Sequence, residues 1–314
     1  MSEAPPPDWR QALLVHAAVA TGLLEAHRAP ATPDQAAAAT GLDPRGTGIV
    51  VRALAGRGVL EPAGAGAHVH TVWGRRLADP PPSPEMDATA ALLLEARALI
   101  NHARLEDLLR GGVPDDDVSE GDAATRLRFM RAMRLVAAPR VPHTVEALGA
   151  PWGGARLLDI GGAPGSYARG FAAAGWRVTV MDLPWTLAVG AAELAAAGVA
   201  TVPGDATQAI PAGPWEVIYL GNLVHLLDPG EAAALILRCA GALTADGVLA
   251  VQEVLGDRSP QGPDFGLMML ASTRGGDAYP EAAYRDWLAA AGMEVADVVE
   301  LEEGAHHLLI GRRA

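Results

Sequence analysis

The stretch RLLDIGGAPGSYARGFAAAGW, residues 156–176, runs from an apolar strand ending in Asp159 through Gly161, Gly162 and Gly165 into an Ala-rich helix. Glycines let a backbone turn tightly and approach a ligand closely, while a carboxylate at a strand end accepts hydrogen bonds from a ligand's ammonium or hydroxyls. A dinucleotide-binding turn looks similar, but it sets a diphosphate against the helix N-terminus, where Asp159 would repel it. From Arg156 onward, short β-branched or Leu-rich runs alternate with Ala-rich helices, which predicts an α/β domain with a mainly parallel sheet. Strands are expected at 156–160, 177–181, 199–202, 216–220, 247–253, 293–300 and 307–312, and helices near 166–174, 186–197, 230–243 and 280–291. The last two strands, joined by Glu302, Glu303 and Gly304, predict a seven-stranded doubly wound sheet closed by an antiparallel hairpin.

Three features follow the glycine loop in order. The second strand, RVTVMD, ends in Asp182, where a carboxylate can accept both hydroxyls of a ribose. The third strand region ends in VPGDAT, placing Asp205 where it can accept the exocyclic amine of an adenine. The fourth ends in IYLGNLVHLL. Acids at the ends of three successive strands suit a cationic nucleoside better than an anionic dinucleotide; the plainer alternative is that they only cap helices. His225 follows the carboxyl end of the fourth strand, where ligands bind in doubly wound sheets, and an imidazole titrating near ~6.5 suits removal of a proton from a hydroxyl.

Upstream, residues 9–27 carry apolar positions at helical spacing, and TPDQAAAATGLDPRGTGIVVRALAGRGVL reads as two short helices. Thr32 caps the first of these, with Pro33 at its first position and Gly41 at its end; the second runs from about Pro44 to Gly56. GVLEPAGAGAHVHTVWGRRLAD then alternates around a Gly-rich turn, as a hairpin wing does. The whole is a winged-helix pattern. A proline-rich break at 79–87 is followed by helical stretches at about 87–110 and 122–148. The expected domains are 1–82, a helical linker over 83–150 and a catalytic unit over 151–314.

The chain has 314 residues, ample for two domains, and its 24 basic residues are all arginine. The absence of lysine excludes Schiff-base catalysis and a Walker-type phosphate loop. A net charge of −13 argues against nucleic acid or an anionic membrane as partner, even with a winged helix in place. One cysteine, Cys239, in an apolar-periodic stretch cannot build a disulfide framework and reads as buried. MSEAPPPDWR lacks the basic-then-apolar run of a secretory signal, and no segment reaches the ~18 apolar residues of a membrane span; the expected location is cytoplasmic.

The sequence resembles the class I S-adenosylmethionine-dependent methyltransferases. Within them it is most similar to the small-molecule O-methyltransferases that include plant caffeate and isoflavone methyltransferases and bacterial polyketide-tailoring enzymes. The resemblance rests on GLDPRGTGIVVRALAGRGVL, RFMRAM, LLDIGGAPG, MDLP, PGDAT, NLVHLLD and AVQEVL, and covers nearly the whole chain. It implies a Rossmann-like catalytic domain and a mainly α winged-helix domain that makes a homodimer. S-adenosyl-L-methionine is the implied cofactor, with Asp159, Gly161 and Gly162 at its methionine part, Asp182 at the ribose and Asp205 at the adenine. Gly165, Leu183, Gly204, Ala206 and Asn222 complete that implied set. His225 takes the place of the general base and Glu253 that of the carboxylate orienting it.

Three departures from the family pattern stand out. Ala163 replaces the third glycine of the loop, Leu226 and Leu227 replace Asp-Trp after the base, and GGDAYP puts Ala278 in place of a second catalytic carboxylate, with Asp277 one residue off register. Candidate acceptor-pocket residues are Phe129, Met130 and Met133, then Met268, Met269 and His307, with Trp185 as a further candidate. The expected reaction is metal-independent O-methylation of an aromatic or polyketide-like metabolite. The alternatives are N- or C-methylation, including a keto-acid site built on a metal held by His225, Asp228 and one of His306 or His307, and a non-methylating cofactor-binding regulator.

Overall fold

Residues 9–78, 87–114, 123–152 and 154–313 are described in a computed structural model, in which two compact units divide between Ile100 and Asn101. The expected boundary after residue 82 and the proline-rich residues 79–86 lie outside the described residues.

The first unit opens with α1 (Trp9–Ala20) and a 3-10 turn at Glu25–His27, followed by α2 (Pro33–Thr40) and α3 (Pro44–Gly56). Thr32 and Gln35 form a reciprocal capping box at the start of α2, and Gly41 closes it in the left-handed region. The wing is shorter than the sequence predicts. β1 (Leu60–Pro62) and β2 (His68–His70) pair antiparallel, but α4 (Val72–Ala78) takes the residues expected to extend the hairpin. The Thr71 hydroxyl accepts the Gly74 N–H at 3.0 Å and starts that helix. Val15, Leu24, Val51, Leu54, Val59 and Leu77 make the core of this unit. α5 (Asp87–His102) follows.

The second unit continues with α6 (Leu105–Leu109), α7 (Ala123–Ala137) and α8 (Val141–Leu148). The sequence predicts one helical stretch over 122–148, but Pro139 cannot continue α7, and Pro142, tolerated in a first turn, stands at the start of α8. Next come β3 (Arg156–Ile160), α9 (Ser166–Ala173), β4 (Arg177–Asp182), α10 (Pro184–Ala196), β5 (Ala200–Pro203), β6 (Trp215–Gly221), α11 (Pro229–Ala242), β7 (Leu243–Glu253), α12 (Gly262–Ser272), α13 (Glu281–Ala290), β8 (Met293–Leu301) and β9 (His306–Arg313). All seven expected strands form; α12 was not foreseen.

The sheet order is β5-β4-β3-β6-β7-β9-β8, parallel from β5 to β7, with β9 antiparallel to both neighbours. Chain order reverses direction between β3 and β6, which opens a crevice at the carboxyl edge there. One sheet face packs against α8, α9 and α10 through Val141, Val145, Phe171 and Leu194; the other packs against α11 and α13 through Leu235, Cys239, Tyr284 and Leu288. Cys239 is fully buried, as its apolar setting predicts. No described helix is long and apolar enough to cross a membrane.

Candidate active site

The carboxyl edge of the sheet works as a ruler, since adjacent strands lie about 4.8 Å apart. Asp205 follows β5, Asp182 ends β4, Asp159 sits on β3, Asn222 follows β6, Glu253 ends β7, and His306 and His307 open the antiparallel β9 beside it.

At the β3 end the sequence leaves room for a carboxylate and little else. A Cβ on Gly162 would lie 2.3 Å from the Asp159 Cγ, and Gly161 turns in the left-handed region at φ 72°. Gly165 also has positive φ, and a Cβ there would strike Leu194. Asp159 is buried, and its Oδ2 has no hydrogen-bond partner in the chain. Burial, reinforced by the neighbouring Asp182, pushes its carboxyl up to about 8. A buried, unpartnered acceptor beside a glycine cradle fits the ammonium of an amino-acid ligand.

Asp182 accepts the N–H of Ala163 at 3.0 Å and of Leu183 at 2.7 Å, so it braces the glycine loop. Burial raises its carboxyl despite these donors. Gly204 donates its N–H to the Asp182 carbonyl at 2.9 Å, linking the loop after β5 to the end of β4. Asp205 is exposed and folds its Oδ1 onto the N–H and hydroxyl of Thr207, at 2.8 and 2.7 Å. The next residue, Ala206, packs at the margin of the core.

The His225 turn is built on Glu253. Asn222 leaves β6 with φ 55°, a conformation asparagine tolerates, and residues Val224–Leu226 form a 3-10 turn. Glu253 Oε1 accepts the backbone N–H of Leu223, Val224 and His225 at 3.0, 2.7 and 3.4 Å, while Oε2 lies 2.6 Å from His225 Nδ1. A carboxylate offers only acceptors, so Nδ1 carries the proton and the Nε2 lone pair stays available as a base. Both residues are buried.

Phe265 of α12 packs edge-on against the imidazole, with centroids 4.9 Å apart, and was not foreseen in the sequence. The signal existed: Phe265, Met268 and Met269 are spaced i, i+3 and i+4 and share one helix face. Met269 is buried and Met268 half-buried. The loop before α13 is zipped to the same turn, with the Asp277 N–H donated to the His225 carbonyl at 3.1 Å. Gly276 is needed there, because a Cβ would fall 2.1 Å from that carbonyl oxygen. Ala278 is buried against Gly256, and Asp277 is exposed.

Phe129, Met130 and Met133 lie on α7, which packs on α9 and α10; Met130 is buried and the others half-buried. Trp185 at the start of α10 lies under the Arg126 guanidinium, 5.5 Å from its ring centre. His306 and His307 face opposite sides of the sheet, as strand alternation demands. His307 Nδ1 is 3.3 Å from the Ser259 hydroxyl. His306 Nδ1 is buried without a hydrogen bond, 3.8 Å from Glu302, and burial, with Arg140 and His225 adding, pushes the ring down to about 3.

Asp228 does not join His225 as a ligand: its Oδ1 accepts the Glu231 N–H at 2.8 Å and caps α11. Among the described residues no group of three or more His, Cys, Asp or Glu side chains is placed to hold a metal ion.

The family model of the O-methyltransferase domain matches residues 112–294. Among curated proteins, a 3-hydroxy-5-methyl-1-naphthoate 3-O-methyltransferase of Streptomyces sahachiroi is 31% identical over 171 residues, 51% of this chain and 49% of that enzyme. A 3-amino-4-hydroxybenzoate 4-O-methyltransferase of Streptomyces cremeus is 31% identical over 111 residues, 34% of this chain and 30% of that enzyme. The chain thus spans about half the length, or less, of these relatives. Among solved structures, the mitomycin 7-O-methyltransferase MmcR superposes with a TM-score of 0.72 at 24% identity, covering 97% of this chain and 94% of its own. The O-methyltransferase NcsB1 from neocarzinostatin biosynthesis, in complex with S-adenosyl-L-homocysteine and 1,4-dihydroxy-2-naphthoic acid, gives 0.70 at 21% identity, covering 98% and 97%. These likenesses extend the shared fold over nearly the full chain.

Proposed function

Because the chain belongs to the O-methyltransferase domain family, we propose that it methylates a hydroxyl of an aromatic or polyketide-like metabolite, using S-adenosyl-L-methionine. The observation that carries this reading is His225, held with Nε2 available by a fully buried Glu253, on the same sheet edge as the unpartnered Asp159. When bound, S-adenosylmethionine supplies an electrophilic methyl on a sulfonium, from which a neutral thioether is a good leaving group. Asp159 receives the cofactor's ammonium, with Gly161, Gly162 and Gly165 giving it close access to the backbone. Asp182 with Leu183 holds the ribose, Gly204, Asp205 and Ala206 border the adenine, and Asn222 flanks the methionine part. His225 Nε2 would take the acceptor's hydroxyl proton as that oxygen receives the methyl and the methyl–sulfur bond breaks, which leaves an imidazolium facing the Glu253 carboxylate. No metal ion is required.

The naphthoate and hydroxybenzoate named for the two relatives favour an aromatic acceptor. Phe265, Met268 and Met269, with Phe129, Met130, Met133 and His307, are the residues we assign to its pocket. α7 and α8 would contribute to that pocket, residues 151–314 the chemistry, and the winged-helix unit a homodimer contact. Light scattering should then report about twice the 32.4 kDa chain mass.

The test is turnover with hydroxynaphthoates and hydroxybenzoates, with chelator present and products mapped by mass spectrometry. His225→Ala should keep its affinity for S-adenosyl-L-homocysteine and lose roughly 10²–10⁴-fold in turnover. Binding of NAD without binding of S-adenosyl-L-homocysteine would overturn the reading.

A further inference from the structure

His306 opens β9 two residues before Leu308, which pairs with Gln252, so His306 and Gln252 share one face of the sheet. Gln252 is fully buried there and hydrogen-bonded at both ends of its amide. Its Oε1 lies 2.6 Å from the Thr144 hydroxyl and 3.0 Å from the Tyr219 hydroxyl, and its Nε2 donates to the Tyr167 oxygen at 2.8 Å. On the opposite face His307 has the Ser259 hydroxyl. His306 is only 5% exposed, yet neither of its ring nitrogens has a hydrogen bond among the described residues. A buried imidazole without partners costs folding free energy that a leucine in the same place would not. Stability does not account for this residue; a ligand group that completes its hydrogen bonding does.

The two nitrogens differ. Nδ1 is enclosed and lies 3.8 Å from Glu302 Oε2, a carboxylate oxygen that Arg140 holds in an ion pair. Burial first, and the charge of Arg140 second, keep the ring neutral, so it carries a single proton. A carboxylate offers only acceptors, so that proton belongs on Nδ1 and the Nε2 lone pair stays available. The pattern repeats that of Glu253 and His225 on the other face, where a carboxylate behind Nδ1 also leaves Nε2 as the acceptor.

Strand order says what that lone pair would meet. Asp205, Asp182 and Asp159 lie at the ends of β5, β4 and β3, so the proposed cofactor runs along the edge toward β6, and the acceptor must lie beyond it, next to His225. The next two strands are β7 and β9, which places the β9 backbone about 10 Å further along the edge than β6. His225 is close enough for its charge to act on His306. We propose that His306 is a specificity residue for the acceptor, accepting at Nε2 a hydrogen bond from a second hydroxyl or amino group on the ring whose reacting hydroxyl faces His225. This assignment rests on the acceptor reading above and adds a requirement to it.

The experiment is steady-state kinetics of the full chain with S-adenosyl-L-methionine and two matched pairs of acceptors: 1,4-dihydroxy-2-naphthoate against 1-hydroxy-2-naphthoate, and 3-amino-4-hydroxybenzoate against 4-hydroxybenzoate. The members of a pair differ only in the second donor. A buried acceptor left without its hydrogen bond predicts that the wild type favours the member carrying that donor by about tenfold or more in kcat/KM, in at least one pair. His306→Leu should reduce the preference to within a factor of about two, through the KM of the favoured member. In the same variant, kcat for the other member and affinity for S-adenosyl-L-homocysteine should stay within a factor of about two. His306→Gln, whose amide oxygen can take the place of Nε2, should restore part of the preference. A preference that survives in His306→Leu, or that the wild type shows in neither pair, would overturn the proposal, as would an equal loss on both members of a pair, the mark of a purely structural role. Wild type that turns over none of these acceptors would refute the acceptor reading itself, and the proposal with it.

Discussion

The proposed seat of the cofactor's ammonium on Asp159 couples ligand binding to a proton. In the free protein its carboxyl stands at about 8, through burial first and the charge of Asp182 second, so near pH 7 roughly nine in ten molecules carry it protonated. An ammonium seated on it favours the carboxylate, so the proton must leave when S-adenosyl-L-homocysteine binds. The sign follows: affinity falls as pH falls below about 8, because an increasing share of the binding energy is spent on deprotonation. With a free-state value of about 8, affinity should improve about fifty-fold between pH 6 and pH 8, and binding at pH 7 should release about 0.9 proton. Calorimetry in two buffers of different ionisation enthalpy reads both quantities. Asp182 is also raised by burial and can contribute to the same slope, so the deciding variant is Asp159→Asn. It should bind about tenfold or more weakly at pH 8 and lose the pH dependence. Affinity that is flat from pH 6 to 8 in the wild type, or a slope that survives in Asp159→Asn, would refute the role given to Asp159.

Other outcomes follow from single contacts. Gly162→Ala places a Cβ 2.3 Å from the Asp159 Cγ, so calorimetry should find S-adenosyl-L-homocysteine binding abolished and thermal melts should find a loss of about 1–3 kcal/mol. Glu253→Gln can present its oxygen to the three backbone donors only by turning its NH₂ toward His225 Nδ1, which moves the ring proton to Nε2; steady-state kinetics should show turnover down roughly 10²–10⁴-fold with cofactor affinity kept. His306 is held neutral down to about 3, while in the unfolded chain it takes a proton below about 6.5; its burial should therefore cost about 2 kcal/mol of stability between pH 7 and pH 5. Denaturant melts at the two pH values check this, and His306→Leu should remove that share. Phe265→Ala should raise the acceptor KM while leaving S-adenosyl-L-homocysteine affinity within a factor of about two, since the ring packs on the base.

What the sequence made legible was local. Thr32, Pro33 and Gly41 mark the ends of α2 because capping chemistry acts within four residues, and the seven strands announced themselves by apolar runs bounded by turn residues. Two of the misreadings also have local causes. Over the seven residues of α4, alternation and helical periodicity cannot be told apart; the deciding contact was the Thr71 hydroxyl on the Gly74 N–H, a cap hidden in what looked like a strand. α12 begins with Gly262 and Pro263, which read as loop, and the exposed Leu267 and Leu270 mask the i, i+3, i+4 spacing of Phe265, Met268 and Met269.

The site divides along the same line. Asp159, Asp182 and His225 could be singled out as candidates because each lies at or shortly after a strand end, a position set by the residues next to it. Gln252 gave no such sign, since its side-chain partners Thr144, Tyr167 and Tyr219 come from α8, α9 and β6 and meet only when the sheet and its helices assemble. Yet one part of its placement is implicit in the dipeptide itself. Two polar residues ending an otherwise apolar buried strand must point to opposite faces, so each needs its own polar neighbourhood. At the carboxyl edge of a doubly wound sheet those neighbourhoods flank the ligand crevice. Glu253 therefore meets His225, and Gln252 is left for the side on which Tyr167 lies.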